Sequence, residues 1–408
     1  MSTSIEEFRW LASQDAAPYL ADTMQQILDK VNVVRIAKSL RKDITAPRSA
    51  LVLELAQLRI RARRKFKLAD QMFFTKRGLQ QSTSRLIAEY KAVRFAACDN
   101  VADICCSIGG DLISLAGQTM VTGFDIDAVA TLYAQQNIEV YGLPFANVFQ
   151  TAFEDLPLSD FDGFHLDPDR RSKGRTVQGD FFEPSLPEIF RRLPPGKFAA
   201  VKVAPATPWH DCIPADAERE WIGVRRECKQ QVIWTGAAVA KPGHLRATRV
   251  SDKGKAYHFL TDAAALEQPA AVADAINDYL YEPHSTILAG QMTNAIANRY
   301  DLKKLATDMV YLTGDEVVKD RLLRRFQVEE IMPIDPRKIA ARLKEMDVGR
   351  LEIKLRGVHK FLTEKFERLK LSGNETRVLF LTRHRKTQVA IIAKRDGQTN
   401  KDEDCDSN

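Results

Sequence analysis

A chain of 408 residues is too long for one ordinary core and predicts two or three domains. With 45% hydrophobic and 28% charged residues its composition is that of a soluble globular protein rather than a disordered or membrane one. No apolar run reaches the roughly 20 residues that cross a bilayer, and the first thirty residues carry five acidic ones and no signal-type segment, so a cytoplasmic protein with no membrane partner is expected.

Residues 1–95 read as an N-terminal helical region. In ALVLELAQLRIRARRKFKLAD the apolar Leu51, Leu55, Leu58 and Phe66 recur near helical spacing, with Arg59, Arg63, Arg64 and Lys67 elsewhere on the wheel. Ser82 or Thr83 is expected to cap a further helix, SRLIAEYKAVRFA. From Val101 the period changes. Short apolar runs follow at VADICC, MVTGFDID, ANVFQTAF, FDGFHLDP, KFAAVKVAP, QVIWTG and HLRATRV, the first several separated by helical segments. Such alternation predicts an α/β, Rossmann-like, mostly parallel sheet over residues 96–262, covered on both faces, with the last two runs as an antiparallel pair. Residues 263–330, with AAVADAINDYL and TILAGQMTNAIANRY, read as a helical linker. Residues 331–396 read as a small α+β domain: strand LEIKLRG, helix VHKFLTEKFERLKLSG, and strands RVLFLTRH and TQVAIIAKR. Residues 397–408 read as a disordered acidic tail.

The charge is unevenly spread. Arg35 to Lys67 holds eleven Lys/Arg against two Asp/Glu, and Asp335 to Arg395 seventeen against seven, so two basic flanks enclose an acidic middle. That pattern points to a polyanionic partner. The six cysteines include no C-x-x-C pair, so neither a disulfide framework nor a metal site is expected. Cys105 and Cys106 are expected inside a strand, packed to its two sides.

In a parallel sheet the ligand sits beyond the carboxyl ends of the strands, and Cys105 to Asp111, C-S-I-G-G-D around Gly109 and Gly110, is such a turn. The carboxylates Asp103 and Asp111 bracket it. They would repel a pyrophosphate and attract an ammonium and a sulfonium. Asp125, ending the next strand, is placed to accept ribose hydroxyls. Together these favour S-adenosyl-L-methionine over a nicotinamide dinucleotide. Asp127 reads as a helix N-cap.

The run DICCSIGGDLISLAGQTMVTGFDIDAVATLYAQQNIEVYG resembles the cofactor motif of class I S-adenosylmethionine-dependent methyltransferases, most of all that of the trimethylguanosine synthase group, with its D-x-D strand end and N-x-x-x-Y-G ending. With MFFTKRGLQQST, LDPDRR, DYLYEPHSTILAG and the ending EIKLRG through LTRHRKTQVAIIAKR, residues from about 50 to 395 resemble the bacterial methyltransferases with a C-terminal THUMP-like domain. The resemblance implies that Asp103 and the backbone of Ser107, Ile108, Gly109 and Gly110, beside Asp111, hold the methionine portion, and Asp125 with Ile126 the ribose and adenine. It places Thr151 and Ala152 beside the adenine amine, where relatives carry an acidic or amide residue. Phe73, Phe74 and Thr75 would close the pocket. Ser107 stands where the group has a glycine.

In DGFHLDPDRR the Asp167 carboxylate and the Pro168 carbonyl can hold the N–H groups of an exocyclic amine and turn its lone pair toward a methyl donor. Asp169 and Arg170 replace the second proline and the stacking aromatic of the related motif, and Trp209 is the candidate replacement. Arg170 and Arg171 are candidates for phosphate near the target, and Arg59 and Arg63 for phosphate farther off. No cysteine directly follows the fifth strand, against a covalent route, and His165 reads as a satisfied core residue. The expected activity is methyl transfer to a base nitrogen of structured RNA (tRNA or rRNA). The alternatives are a small-molecule or protein acceptor, or an RNA-binding protein without catalysis.

Overall fold

The computed structural model describes residues 3–170, 182–359, 366 and 369–395, and the chain divides into two units, residues 1–219 with 231–242, and residues 220–230 with 243–408.

The first unit opens with helices α1 (Ile5–Leu11), α2 (Ala17–Leu28), α3 (Val33–Leu40), α4 (Ala46–Ala62), α5 (Lys76–Gln81) and α6 (Arg85–Ala92). Helix α4 starts with Pro47 in its first turn, where a missing N–H costs nothing, and buries Val52, Leu55, Leu58 and Ala62. These pack with Phe66, Phe73, Phe74, Ile108 and Tyr133 into one apolar cluster. The expected cap of α6 is corrected: Ser84 occupies the N-cap position, and the Thr83 hydroxyl bonds a buried carboxylate instead.

A sheet follows. Its elements are β1 (Asn100–Ile104), α7 (Leu112–Leu115), β2 (Met120–Asp125), α8 (Ala128–Val140), β3 (Ala146–Gln150), β4 (Gly163–Leu166), the short pair β5 (Asp169–Arg170) and β6 (Phe182–Glu183), α9 (Leu186–Arg192) and β7 (Phe198–Val203). The order β3-β2-β1-β4-β7 is parallel throughout. Next in sequence come β8 (Glu218–Val224) and β9 (Glu227–Thr235), and residues 231–235 of β9 run antiparallel to β7. Val101, Ala102, Phe164, Leu166, Ala200 and Val201 are almost fully buried, as strands covered on both faces must be, which is why these runs read as continuous rather than alternating. Ile104 lies level with both Phe124 and Leu166, so the segments after β1, β2 and β4 leave the sheet along one edge. The order reverses at β1, which makes that edge the crevice of an open α/β sheet.

In the second unit, residues 220–230 form the tip of the β8–β9 hairpin, with Arg225 at φ 53° in its turn. Strands β10 (Leu245–Val250) and β11 (Ala256–Thr261) pair antiparallel. All seven runs read as strands therefore hold one, but QVIWTG pairs with β7 and HLRATRV with β11 rather than with each other. After α10 (Ala263–Glu267) come β12 (Tyr279–Pro283), α11 (Ser285–Ala289), α12 (Thr293–Arg299), β13 (Lys303–Lys304), β14 (Leu312–Gly314), β15 (Leu323–Pro333), α13 (Pro336–Glu345), β16 (Val348–Leu355), β17 (Glu375–His384) and β18 (Thr387–Arg395). They build a sheet of order β13-β14-β12-β15-β18-β17-β16, in which only β16–β17 is parallel among the described strand pairs.

Two expectations change here. The 263–330 segment is not a helical linker, since it supplies β12, β13, β14 and most of β15 to this sheet. AAVADAINDYL looks helical by composition, yet Ala273 N–H bonds the Lys304 carbonyl and Leu280 lies in β12; pairing overrides a weak propensity. Helix α13, which the sequence reading passed over, buries Ile339 and Leu343 against Leu379 and Ile392. Half of VHKFLTEKFERLKLSG and all of the 397–408 tail lie outside the described residues.

Candidate active site

The chain leaves β1 through an unusual turn. Cys105 (φ 59°), Ser107 (φ 50°) and Gly109 (φ 82°) all take the left-handed conformation, which only glycine adopts without cost. Cys105 and Cys106 thus lie beyond the strand's end and not inside it, and burial pushes both thiols well above their usual range, away from reactivity. What holds the turn is Asp125. Its Oδ2 accepts the Ser107 N–H at 2.9 Å and its Oδ1 the Asp127 N–H at 2.9 Å, while Asp127 caps α8 through the N–H groups of Val129 and Ala130. Burial raises the Asp125 carboxyl, partly countered by the two backbone donors. Each of its oxygens keeps a lone pair for a further donor.

Under the turn lies a buried chain of charged and polar groups. Asp103 is 1% exposed and its Oδ1 meets His165 Nδ1 at 2.7 Å, while Lys91 Nζ meets His165 Nε2 at 2.8 Å. A lysine ammonium has no acceptor, so Nε2 accepts and the ring proton sits on Nδ1, donated to Asp103. Lys91 also pairs with Asp111 Oδ1 at 2.8 Å, and the Thr83 hydroxyl donates to Asp111 Oδ2 at 2.6 Å. Burial alone would raise Asp111, but the ammonium groups of Lys91 and Lys202 hold it well below the usual carboxylate range. Asp103 goes the other way, since burial outweighs its histidine and raises it. The reading of Asp111 as a bare carboxylate facing a cation is therefore corrected: Lys91 neutralises it. Asp103 and Asp125 remain as the carboxyl acceptors beside the turn.

On the far side of β1, the chain after β4 is tied back by the Asp167 N–H to the Ile104 carbonyl. The Asp167 carboxylate, 28% exposed, pairs with Lys202 of β7 at 2.5 Å, and Lys202 Nζ also donates to the Gln81 carbonyl at 3.3 Å. Burial would lower the Lys202 ammonium, yet Asp167 and Asp111 raise it, so it stays charged. Asp169, which stands where the related motif has its second proline, pairs with Arg77 at 2.8 Å and is bonded by the Gln81 side chain. Helix α5 thus holds Asp169 through Arg77 and Gln81. Both stand in MFFTKRGLQQST.

The structure brings Asp103, Ser107, Ile108, Gly109, Gly110, Asp125 and Asp167, with Pro168 after it, to this one edge. The remaining candidates scatter. Phe74 (3% exposed) packs on Phe66 with ring centroids 5.6 Å apart, and Phe73 on Tyr133, so both are core. Thr75 caps α5 by accepting the Gly78 N–H. Ile126 is 72% exposed beside Asp125. Thr151 extends the β2–β3 pairing by donating its N–H to the Asp125 carbonyl, and Ala152 precedes a short turn. Trp209 is exposed, with the Arg219 guanidinium 5.4 Å from its ring centroid.

The assignment of Arg59 to phosphate is corrected. It is buried, donates to the carbonyls of Met72 and Gln71, and burial lowers it to about 10. Arg63 is held by Asp70 in a two-pronged pair at 2.8 and 2.9 Å. Arg170 ends β5, its side chain outside the described set, and Arg171 lies outside the described residues altogether. Among the described residues no group of His, Cys, Asp and Glu is arranged to hold a metal ion.

Sequence reasoning missed Lys91, Lys202, Arg77, Gln81 and Asn137. Asn137 takes the Phe73 N–H at 2.7 Å and donates to the carbonyls of Phe73 and Ile108, fastening the segment before α5 to the glycine turn. It opens N-x-x-x-Y-G, whose Tyr141 hydroxyl accepts the Leu68 N–H. For the lysines the signal was one charge inside an apolar pattern: Lys91 shares the buried stripe of Ile87, Ala88 and Ala92, and Lys202 interrupts FAAVKV.

Residues 323–395 match the THUMP domain-like family. Two uncharacterized S-adenosylmethionine-dependent methyltransferases of Mycobacterium tuberculosis, from strains CDC 1551 and H37Rv, are each 27% identical over 322 residues, 77% of this chain and 85% of theirs. A solved, provisionally named methyltransferase from Porphyromonas gingivalis W83 superposes with a TM-score of 0.75 at 20% identity, covering 97% of this chain and 100% of that one. The chain therefore has the fold of a class I methyltransferase sheet, with a C-terminal region, residues 323–395, that is similar to the THUMP domain-like family.

Proposed function

We propose that the protein is an S-adenosyl-L-methionine-dependent methyltransferase that moves the methyl group to a base nitrogen of structured RNA by direct transfer. The cofactor fits the residues present. Asp103 Oδ2 is buried with no hydrogen-bond partner among the described residues, a vacancy suited to an ammonium. Asp125 keeps acceptor capacity for a ribose diol, Ile126 offers an exposed apolar face, and the Ser107–Gly110 backbone can approach closely. When bound, the cofactor supplies an electrophilic methyl group.

The observation that carries the reading is Asp167, paired with Lys202 just after β4, on the same edge as the glycine turn. Its carboxylate and the Pro168 carbonyl accept the N–H groups of the target amine and so orient its lone pair. The nitrogen gains a bond to carbon and sheds one proton, for which Asp167 is the nearby acceptor. The THUMP-like domain supports RNA as the acceptor class, and tRNA or rRNA are the RNAs to try first. Purified protein with radiolabelled cofactor and RNA from a strain lacking the gene, followed by nucleoside mass spectrometry, identifies base and atom. Asp167→Ala is expected to lower the rate at least a hundredfold with cofactor affinity retained, and Asp125→Ala to weaken cofactor binding. Full activity in Asp167→Ala removes the catalytic assignment.

A further inference from the structure

Away from that edge, and wholly within the second unit, the β8–β9 turn, β10, the segments 282–288 and 321–324 and the end of β16 enclose a cavity of about 200 Å³. Six arginines line it: Arg225, Arg226, Arg249, Arg321, Arg324 and Arg356. Lys354 joins them, and Glu282 is the one lining carboxylate among the described residues. We propose that this cavity is a phosphate-binding site that takes a single phosphoryl group, independent of the methyl-transfer reading.

Charge balance is the first argument. Lys354 pairs with Glu282 at 2.6 Å, Arg225 with Asp252 at 3.3 Å, and Arg226 with Glu352 at 3.5 Å. Glu352 is shared further with Lys354 and Arg395, so one carboxylate serves three cations. Cations crowded together repel one another, and a doubly charged anion relieves that cost. Donor type is the second. Guanidinium groups offer paired N–H donors at the spacing of two phosphate oxygens, which a lysine cluster does not. Size is the third, because pockets for drug-sized ligands start at about 300 Å³ and this one holds a phosphoryl group but not a whole nucleotide. Rigidity is the fourth. Arg249 is 5% exposed and fixed to the Arg321 carbonyl at 3.0 Å, and His284 Nε2 holds the Arg225 carbonyl at 2.7 Å, so part of the donor set is in place before any ligand arrives.

The phosphoryl group has two possible sources, the backbone of an RNA and free phosphate, and one experiment separates them. Full-length protein is titrated calorimetrically with inorganic phosphate at low ionic strength, against sodium chloride of matched ionic strength, for the wild type, Arg226→Gln, Arg356→Gln and Arg356→Lys. Arg226 and Arg356 are exposed, so their variants are expected to fold, which a thermal melt checks. One saturable phosphate site is expected, roughly tenfold weaker in each glutamine variant, with a smaller loss in Arg356→Lys. An RNA hairpin without terminal phosphates is titrated in parallel. Competition by phosphate in the wild type, weakened in the variants, assigns the site to backbone phosphates. Hairpin affinity untouched by the substitutions assigns it to free phosphate. Phosphate binding no stronger than chloride, or equal in wild type and all variants, overturns the proposal.

Discussion

Ser107 sits at φ 50° in a turn whose neighbours Cys105 and Gly109 are left-handed too. A side chain there costs about 1–2 kcal/mol relative to glycine, and the N–H to Asp125 compensates locally rather than removing the strain. Ser107→Gly should therefore raise stability by about 1 kcal/mol, less the extra unfolded-state entropy of glycine, and leave cofactor affinity intact. A thermal melt and a cofactor titration check both, and a lower melting temperature would mean that the serine hydroxyl has a structural task. Lys91 is the opposite case. It is 1% exposed between Asp111 and His165, so Lys91→Met leaves a buried carboxylate without its cation and should cost about 3–5 kcal/mol in denaturant unfolding. The same pair predicts a pH dependence. Asp111 is depressed in the folded state, so its contribution is complete above the unfolded value of about 4 and is lost as pH falls below it. Asp111→Asn should be less stable than wild type at pH 7, with the gap closing as pH falls through that window. A gap independent of pH would show that the carboxylate is not the ionised partner of Lys91.

Helix α5 turns the sheet edge into a site. Its six residues would be marginal alone, and it is held by the Thr75 cap, by Arg77 and Gln81 on Asp169, and by close packing at Gly78. A Cβ at Gly78 would stand 2.6 Å from Ile108 Cγ2 and 2.9 Å from Thr75 Oγ1, so the glycine lets the helix rest on the turn. Gly78→Ala is expected to lift α5, cost about 1–3 kcal/mol and weaken cofactor binding, as read by denaturant unfolding and cofactor titration. Unchanged affinity would separate α5 from the pocket. Legibility at this scale followed burial. The parallel strands were readable because burial on both faces gives continuous apolar runs, and Asp125, Gly109 and Asp127 because strand end, turn and cap each demand particular chemistry. Lys91, Lys202 and Arg77 escaped because an ion pair between distant segments leaves no spacing in either one. Residues 263–330 misled for a related reason, since β12 and β14 are short and hold their place through partners far along the chain.

For the whole molecule, the basic flanks that suggested a polyanion prove to be partly paired within the fold: Arg63 with Asp70, Arg342 with Glu330, Arg377 with Glu329 and Arg383 with Asp308. Net charge along the sequence thus overstates what the surface offers. The domain boundary shifts similarly. Composition placed it at residue 262, but Trp221, Ala247 and Phe259 are buried in a cluster with Tyr281, Ile287, Ile296, Leu312 and Leu323, all beyond that point. Cutting there would strip these residues of their partners, and each large side chain returned to water costs about 1.5–3 kcal/mol, comparable together to the stability of a whole domain. A chain ending at residue 262 is therefore expected to aggregate or bind hydrophobic dye, whereas the full chain elutes as one species and melts cooperatively. Gel filtration and a dye titration on both read the difference. A soluble 1–262 fragment with a cooperative melt matching the full chain would mean that the cluster adds nothing to the fold of the first unit, and would restore the boundary that composition suggests.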